Sequence, residues 1–482
     1  MIDLPSKLSR RHFLDFNLSG LGGAALLDLL QANSARGATT IRGQRFAARS
    51  DVTAPKAKRA IHICLIGGLS HVDSFDYKPA LHQLHGQVLP NFVQPDTFFG
   101  SAGLLRKHEW TFRQRGQSGV WVSDLFPHLA ACADDLTIIN SMYSESGNHT
   151  PAMFLQNSGF QSNGFPSLGS WLSYGLGNET DDLPTFVVLP DSRSLPNSGA
   201  ANWSSGFLPA RHQGAVFRNG KQPIRNLFAD TAISRVAEID ARTLLRRINE
   251  KQLTNRNDDV LQARIRAYEL AARMQISVPE VVDFAAETRS TIASYGVENS
   301  ATSDCGRRCL LARRLLERGV RFVQIYSGGA FGGSPRHGWD GHENNYVNHA
   351  REAMRIDQPV AALLKDLKQR GLLHDTLLLF TSEFGRTPFA HAPRGVMALG
   401  RDHNPRGFTS WLAGAGLRTG MSFGATDEVG WKSVVNPVSW PDFHATVLHL
   451  MGLDHEQLTY YHNGIERRLT NVHGSVISEL FT

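Results

Sequence analysis

Short runs of consecutive apolar and β-branched residues, closed by charged or glycine-rich turns, alternate along this chain with longer stretches of helical periodicity. The runs predict strands over 60–67, 136–142, 183–189, 320–326 and 376–382. Their apolar positions are continuous rather than alternating, which marks strands buried on both faces, as in parallel sheets. Helical spacing covers 127–134, 304–318 (closed by Gly319) and 345–370, where Pro359 is expected to kink the helix or break it in two. A helix between two such strands is the parallel βαβ signature. From about 192 to 300 the character changes to charged amphipathic helices over 225–253, 260–274 and 279–295, read as an insertion or cap with solvated faces. The expected fold class is α/β, with a mostly parallel central sheet, helices on both faces and a largely helical insertion.

At 482 residues the chain exceeds what one core needs. We place one large α/β domain at 41–482, after a signal and linker at 1–40. The net charge of +6 is spread along the chain, and without a basic stripe it excludes nucleic acid as the expected partner. Four cysteines show no CxxC pair; Cys64 lies in an apolar run, and Cys305 and Cys309 share one helix face. Ser9-Arg10-Arg11-His12-Phe13-Leu14 is a twin-arginine pattern followed by a weakly apolar segment to Leu30, although Asp15 and Asp28 interrupt it. It implies the twin-arginine export machinery as a partner and a periplasmic or cell-envelope location. The competing reading is an ordinary basic amphipathic start. No later segment approaches the roughly 20 apolar residues of a membrane span.

Acid/base and metal-ligand side chains recur just past the carboxyl ends of the strands, where open α/β sheets bind ligands. Strand 376–382 delivers Glu383 and Arg386. Gly400 and Pro405 bracket Arg401, Asp402 and His403 in what is expected to be a loop. Strand 60–67 is followed by Asp73, a ligand or simply a cap for the next helix. Strand 136–142 leads to His149 and Thr150, with Pro151 suiting the first turn of a helix whose N–H groups would favour an anion; Thr150 alternatively serves only as an N-cap. Asp340 and His342, one glycine apart, can converge on one ion. Asp340, His342 and His403 are expected to form the core of a divalent-metal site, with Glu383, Asp402, His149 and Asp73 as further partners. Two imidazoles with a carboxylate suit zinc, with calcium or manganese as alternatives.

The segments GGLSHVDSFDYKP, NHTPAMFLQNSG, GFLPARHQG, CLLARRLLERGVRFVQIY, TLLLFTSEFGRTP, GRDHNP and DFHATVLHLMGLDHEQLTYYHNG resemble the twin-arginine-exported bacterial family called domain of unknown function 1501. That family is grouped with the alkaline phosphatase and sulfatase superfamily, and the resemblance covers nearly the whole chain. It implies metal ligands and a nucleophile at the carboxyl edge of a parallel sheet, acting on phosphate, sulfate or phosphonate esters, including sulfated or phosphorylated glycans. Asp340, His342 and His403 are similar to one alkaline-phosphatase metal site. Three departures stand out: Gly67-Gly68 replaces an aspartate, Glu383-Phe384 replaces an Asp-His or Asp-Asn pair, and the nucleophile's place falls on His149 beside Thr150, with no formylglycine-type cysteine. Three functions remain open: an exported metal-dependent hydrolase or transferase in which Arg386 or Arg401 pairs with the anion and His149 or Thr150 attacks or assists; a non-catalytic metal-binding or envelope protein; and an isomerase or phosphomutase.

Overall fold

Five strands form where the apolar runs lie, Arg59–Leu65 (β1), Thr137–Met142 (β2), Phe186–Leu189 (β3), Phe322–Ser327 (β5) and Thr376–Ser382 (β6), and a short unexpected one, Ala215–Val216 (β4), falls between β3 and β5 in the chain. The computed structural model describes residues 56–89, 97–100, 102–220, 223–224, 235–255, 259–329 and 338–481, all within one compact unit, Val52–Thr482. Outside them lie the twin-arginine pattern and signal over 1–40, the first part of the helix expected over 225–253, and residues 330–337.

Four further strands bear on the site and the central sheet: a hairpin of Gly385–Ala390 (β7) with Arg401–Asn404 (β8), then Phe408–Gly414 (β9) and Met421–Phe423 (β10); three other two-stranded sheets lie outside them. The central sheet has eight strands in the order β10-β2-β9-β6-β1-β5-β3-β4. All run parallel except β9, which lies antiparallel between β2 and β6. At the sheet centre Ile63 of β1 registers with Ile325 of β5 on one side and Phe380 of β6 on the other.

Alternate residues of a strand point to opposite faces, and both faces of this sheet are dry. Ile61, Ile63, Leu378 and Phe380 join one buried cluster with Leu315 of helix Ser303–Glu317 and with Val360 and Leu364 of helix Asn345–Gln369. Ala60, Cys64, Leu377 and Leu379 join the other, with Met153 of His149–Ser158, Trp171 of Leu168–Leu176 and Val447 of Trp440–Leu450. Each fully buried Leu or Phe contributes about 1.5–3 kcal/mol, which explains the uninterrupted apolar code. We label the helices in chain order: His149–Ser158 (α1), Leu168–Leu176 (α2), Arg235–Asn255 (α3), Asp259–Val282 (α4), Ser303–Glu317 (α5), Asn345–Gln369 (α6) and Trp440–Leu450 (α7).

Several expectations are corrected. Gly400–Pro405 does not hold a loop: Arg401–Asn404 is the strand β8, paired with β7 through His403↔Arg386. Pro359 neither breaks nor divides α6, which is one continuous helix with Pro359 buried inside it, since packing against β-sheet and α5 outweighs one lost hydrogen bond. The helix expected over 127–134 is two short pieces, Pro127–Ala130 and Ala133–Asp135. The helix expected over 260–274 runs on to Val282 with Pro279 inside it, so 279–295 is not one helix; a separate short helix, Arg289–Ser294, follows. The insertion also contributes strand β4 to the main sheet.

Candidate metal centre

The carboxyl ends of β1, β2, β5 and β6 open on the same edge, and the side chains that follow them meet there. Helix α1 begins at His149, with Asn148 as N-cap accepting from the Thr150 N–H at 3.3 Å. Thr150 is therefore not the cap. With that N–H spent and Pro151 lacking one, the first turn keeps few backbone donors for an anion. The helix stops at Gly159 (φ 74°), where a Cβ would stand 2.6 Å from the Leu469 carbonyl oxygen.

His149 Nδ1 lies 2.8 Å from Oε1 of Glu383, which also accepts the Gly67 N–H at 2.8 Å. A carboxylate only accepts, so His149 gives its Nδ1–H to Glu383 and turns Nε2 to Asp340 Oδ1, 3.5 Å away. His403 repeats the arrangement: its Nδ1 donates to the Gly147 carbonyl at 2.7 Å, and its Nε2 lies 3.4 Å from the same Asp340 oxygen. His342 Nε2 is 3.0 Å from Asp340 Oδ1 and 2.8 Å from His403 Nε2. The sequence-expected trio Asp340, His342 and His403 thus converges, joined by His149.

Arg386 enters this cluster from β7. Wholly enclosed, it donates from Nε to Gly68 O at 3.1 Å, from Nη1 to Arg401 O at 3.2 Å, and from Nη2 to Gly67 O and, at 2.5 Å, to Asp340 Oδ1. Burial alone would raise the Asp340 carboxyl, but Arg386 and the three imidazoles hold it far below the usual carboxylate range. Burial lowers His342 and, together with Arg386, drives His403 well below the ordinary imidazole value. Burial opposes protonation of His149 too, yet Asp340 and Glu383 outweigh it and raise its basicity.

Asp73 and Arg401 are drawn into a separate pair. Arg401 Nε lies 2.8 Å from Asp73 Oδ2 and its Nη2 lies 2.9 Å from Lys107 O. Asp73 further accepts from Ser70 Oγ at 2.6 Å, Asn345 Nδ2 at 2.9 Å and Glu109 N at 2.9 Å. Burial would raise its carboxyl, but Arg401 and these donors hold it at about 2. Both residues are fully enclosed, so this pair braces the floor beneath Arg386. Asp402 accepts from His403 N at 2.7 Å and from Phe99 N at 3.1 Å. Thr150 sits half-buried next to His149 on α1.

The ligand atoms of His149, Asp340 and His403 all lie within 4.8 Å of one another, and so do those of His342, His391 and Asp402. His391, at the end of β7, was not singled out from the sequence; Ala392-Pro393-Arg394-Gly395 just after it is the turn signal that would have suggested the hairpin. Phe98 and Phe99 were also missed. They are 43% and 56% exposed, and their rings rest 5.1 Å from His403 and 5.2 Å from His342. The donor chemistry fits a divalent ion: imidazoles that give one N–H to a carboxylate or carbonyl and present the other nitrogen beside a carboxylate are arranged as metal ligands are.

The fold and this edge define an α/β protein with a cluster of metal-ligand side chains at the carboxyl ends of its parallel strands. The chain belongs to the family described as "Protein of unknown function (DUF1501)", whose model matches residues 57–481. No curated protein sequence matches it. Among solved structures it is similar to the lipoteichoic acid synthase LtaP from Listeria monocytogenes (9% identity, TM-score 0.36, covering 84% of this chain and 74% of that one). It is also similar to the PsFucS1 sulfatase from Pseudoalteromonas sp. (13%, 0.36, 87% and 73%). A third is an alkaline phosphatase from the Antarctic bacterium TAB5 (11%, 0.35, 84% and 100%). Among the described residues no helix is long and apolar enough to cross a membrane.

Proposed function

We propose that the chain is an exported, metal-dependent hydrolase or transferase of phosphate or sulfate esters, with His149, Asp340 and His403 holding a divalent ion. One observation carries the reading: His149 and His403 both spend Nδ1–H elsewhere, on Glu383 and Gly147, and so aim Nε2 at the Asp340 carboxylate. Arg386 already offsets the Asp340 charge from one side, and the two Nε2 atoms turned toward the same carboxylate make a donor set that suits a divalent ion. Two imidazoles and a carboxylate suit zinc, with calcium and manganese as the alternatives to test. A bound ion would supply Lewis-acid polarisation of a phosphoryl or sulfuryl oxygen. The chain's own groups do the rest: Glu383 keeps His149 in the ligating tautomer, Arg386 anchors Asp340, and the half-buried Thr150 hydroxyl or a water would attack phosphorus or sulfur as the bond to the ester oxygen breaks, the nucleophile's proton passing through solvent to the departing alcohol. Arg386 and Arg401 act by positioning rather than by gripping the anion, because each is committed to an internal carboxylate.

That same commitment favours a second reading, a metal-binding envelope protein that performs no reaction. The two separate cleanly on metal-loaded full-length protein given phosphate monoesters, phosphodiesters, phosphonate esters and sulfate esters, including sulfated glycans. Turnover that requires metal and disappears in His149→Ala supports the enzyme. Tight metal binding with no turnover on any of these esters supports the binding protein.

A further inference from the structure

We propose that His342, His391 and Asp402 form a second divalent-cation site, joined to the first where His342 meets Asp340. The argument is one of proton placement. His342 Nε2 faces Asp340 Oδ1 at 3.0 Å, and a carboxylate can only accept, so Nε2 carries the hydrogen. His403 Nε2, on the other side at 2.8 Å, is a bare nitrogen because the His403 N–H is given to Gly147. Neither neighbour brings a hydrogen of its own to this contact, so the tautomer with hydrogen on Nε2, given to Asp340, is the one both allow. The Arg386 Nη1 contact to this nitrogen is longer, 3.4 Å, and Nη1 has the Arg401 carbonyl at 3.2 Å. A neutral imidazole with hydrogen on Nε2 has its lone pair on Nδ1, which cannot serve the ion held by His403.

That lone pair points the other way, to His391 Nδ1 at 3.0 Å. Asp402 completes the group, its ligand atom within 4.8 Å of both imidazoles. Each Asp402 oxygen accepts one backbone N–H, from His403 and from Phe99, which orients the carboxylate and leaves lone pairs for an ion. Two imidazoles and a carboxylate again suit a borderline divalent ion such as zinc. Phe99 packs beside the group, its ring 5.6 Å from that of His391 and 5.2 Å from that of His342. Asp340, His342 and the second ion would then stand as carboxylate, imidazole and metal in line, an arrangement that raises ligand basicity. His342 is thereby reassigned: it touches Asp340 through hydrogen and ligates through its other nitrogen.

This inference rests on the proposal that the cluster binds metal, and the experiment separates the two. Metal per chain is measured by mass spectrometry on full-length protein loaded with zinc and dialysed, for the wild type, His391→Ala, His391→Asn, Asp402→Asn and His149→Ala, with circular dichroism as a check on folding. The expected result is about two ions in the wild type and about one in every variant. His391 is half-buried at a strand end, and two different replacements guard against a local folding defect. If the wild type holds one ion that the His391 variants keep and His149→Ala loses, the second site is overturned and the first stands. If it holds one ion that the His391 variants lose and His149→Ala keeps, the first is overturned and the second stands. No bound ion overturns both.

Discussion

Oε1 of Glu383 lies 2.8 Å from Nδ1 of His149, and the same oxygen is pinned by the Gly67 N–H. Glu383 therefore touches the proposed ion only through the imidazole. Glu383→Gln keeps the shape and a carbonyl oxygen for Gly67 but removes the charge that fixes the tautomer. It is expected to weaken metal binding by about 10–100-fold, read by competition with a coloured chelator, while the melting temperature changes little. Unchanged affinity would remove Glu383 from the metal centre.

His403→Ala and His342→Ala should each hold one ion per chain fewer than the wild type and lose any esterase activity while the protein stays folded. The first deletes a ligand aimed at Asp340; the second deletes both a partner of Asp340 and a ligand of His391's group. Stoichiometric metal in both variants would sink the assignment.

Asp73 and Arg401 predict the opposite pattern. Removing one partner of an enclosed ion pair leaves an uncompensated charge and costs about 3–5 kcal/mol. Asp73→Ala and Arg401→Ala should lose that much in urea denaturation, yet bind metal at wild-type stoichiometry wherever folded protein is recovered. A metal-free but stable Asp73→Ala would instead make Asp73 a ligand.

The core carries imidazoles that fix an acid limit. Burial lowers His62 and His349 to about 3 and His444 to about 4. His62 contacts Thr381 Oγ1 at 2.8 Å, and His444 donates to Gln156 O at 3.0 Å. In the unfolded chain each would titrate near about 6.5. The folded values are depressed, so as pH falls below about 6.5 the unfolded state takes up protons first. Stability should be full above that point and decline toward about 3–4, by about 1.4 kcal/mol per pH unit for each group. Urea midpoints measured from pH 7 to 4 test this, and His444→Gln should flatten the slope. A midpoint independent of pH would contradict the buried neutral state.

Five of the parallel strands were legible because they are mostly apolar, with isolated polar positions such as Asn140 and Gln324, whereas β4 and β10 are only two and three residues long; the site edge was legible because polar residues follow the expected strands. Strand β9 escaped notice: Phe408–Gly414 mixes Thr409, Ser410 and Trp411, as suits a strand that returns antiparallel between β2 and β6. β8 escaped for a different reason. Arg401, Asp402, His403 and Asn404 carry no apolar pattern at all, since their side chains make the site rather than the core. The clustering of Asp340, His342 and His403 follows from chemistry adjacent to strand ends. The separation of Asp73 does not, because which carboxylate claims which arginine depends on β7 and β8 lying side by side, a long-range pairing that spacing cannot reveal.

Gly67 turns the chain at φ 120°, where a Cβ would meet the Asp340 nitrogen at 2.5 Å, and its carbonyl with that of Gly68 receives Arg386. A covalently attached positive charge therefore stays beside Asp340 whatever the solution contains. Chelators can strip an exchangeable ion from such a centre, but they cannot leave the carboxylate uncompensated. The protein should consequently survive dialysis against EDTA as a folded apo form and take up ions again on adding them back, which would make the proposed metal centre a reloadable fitting rather than a keystone.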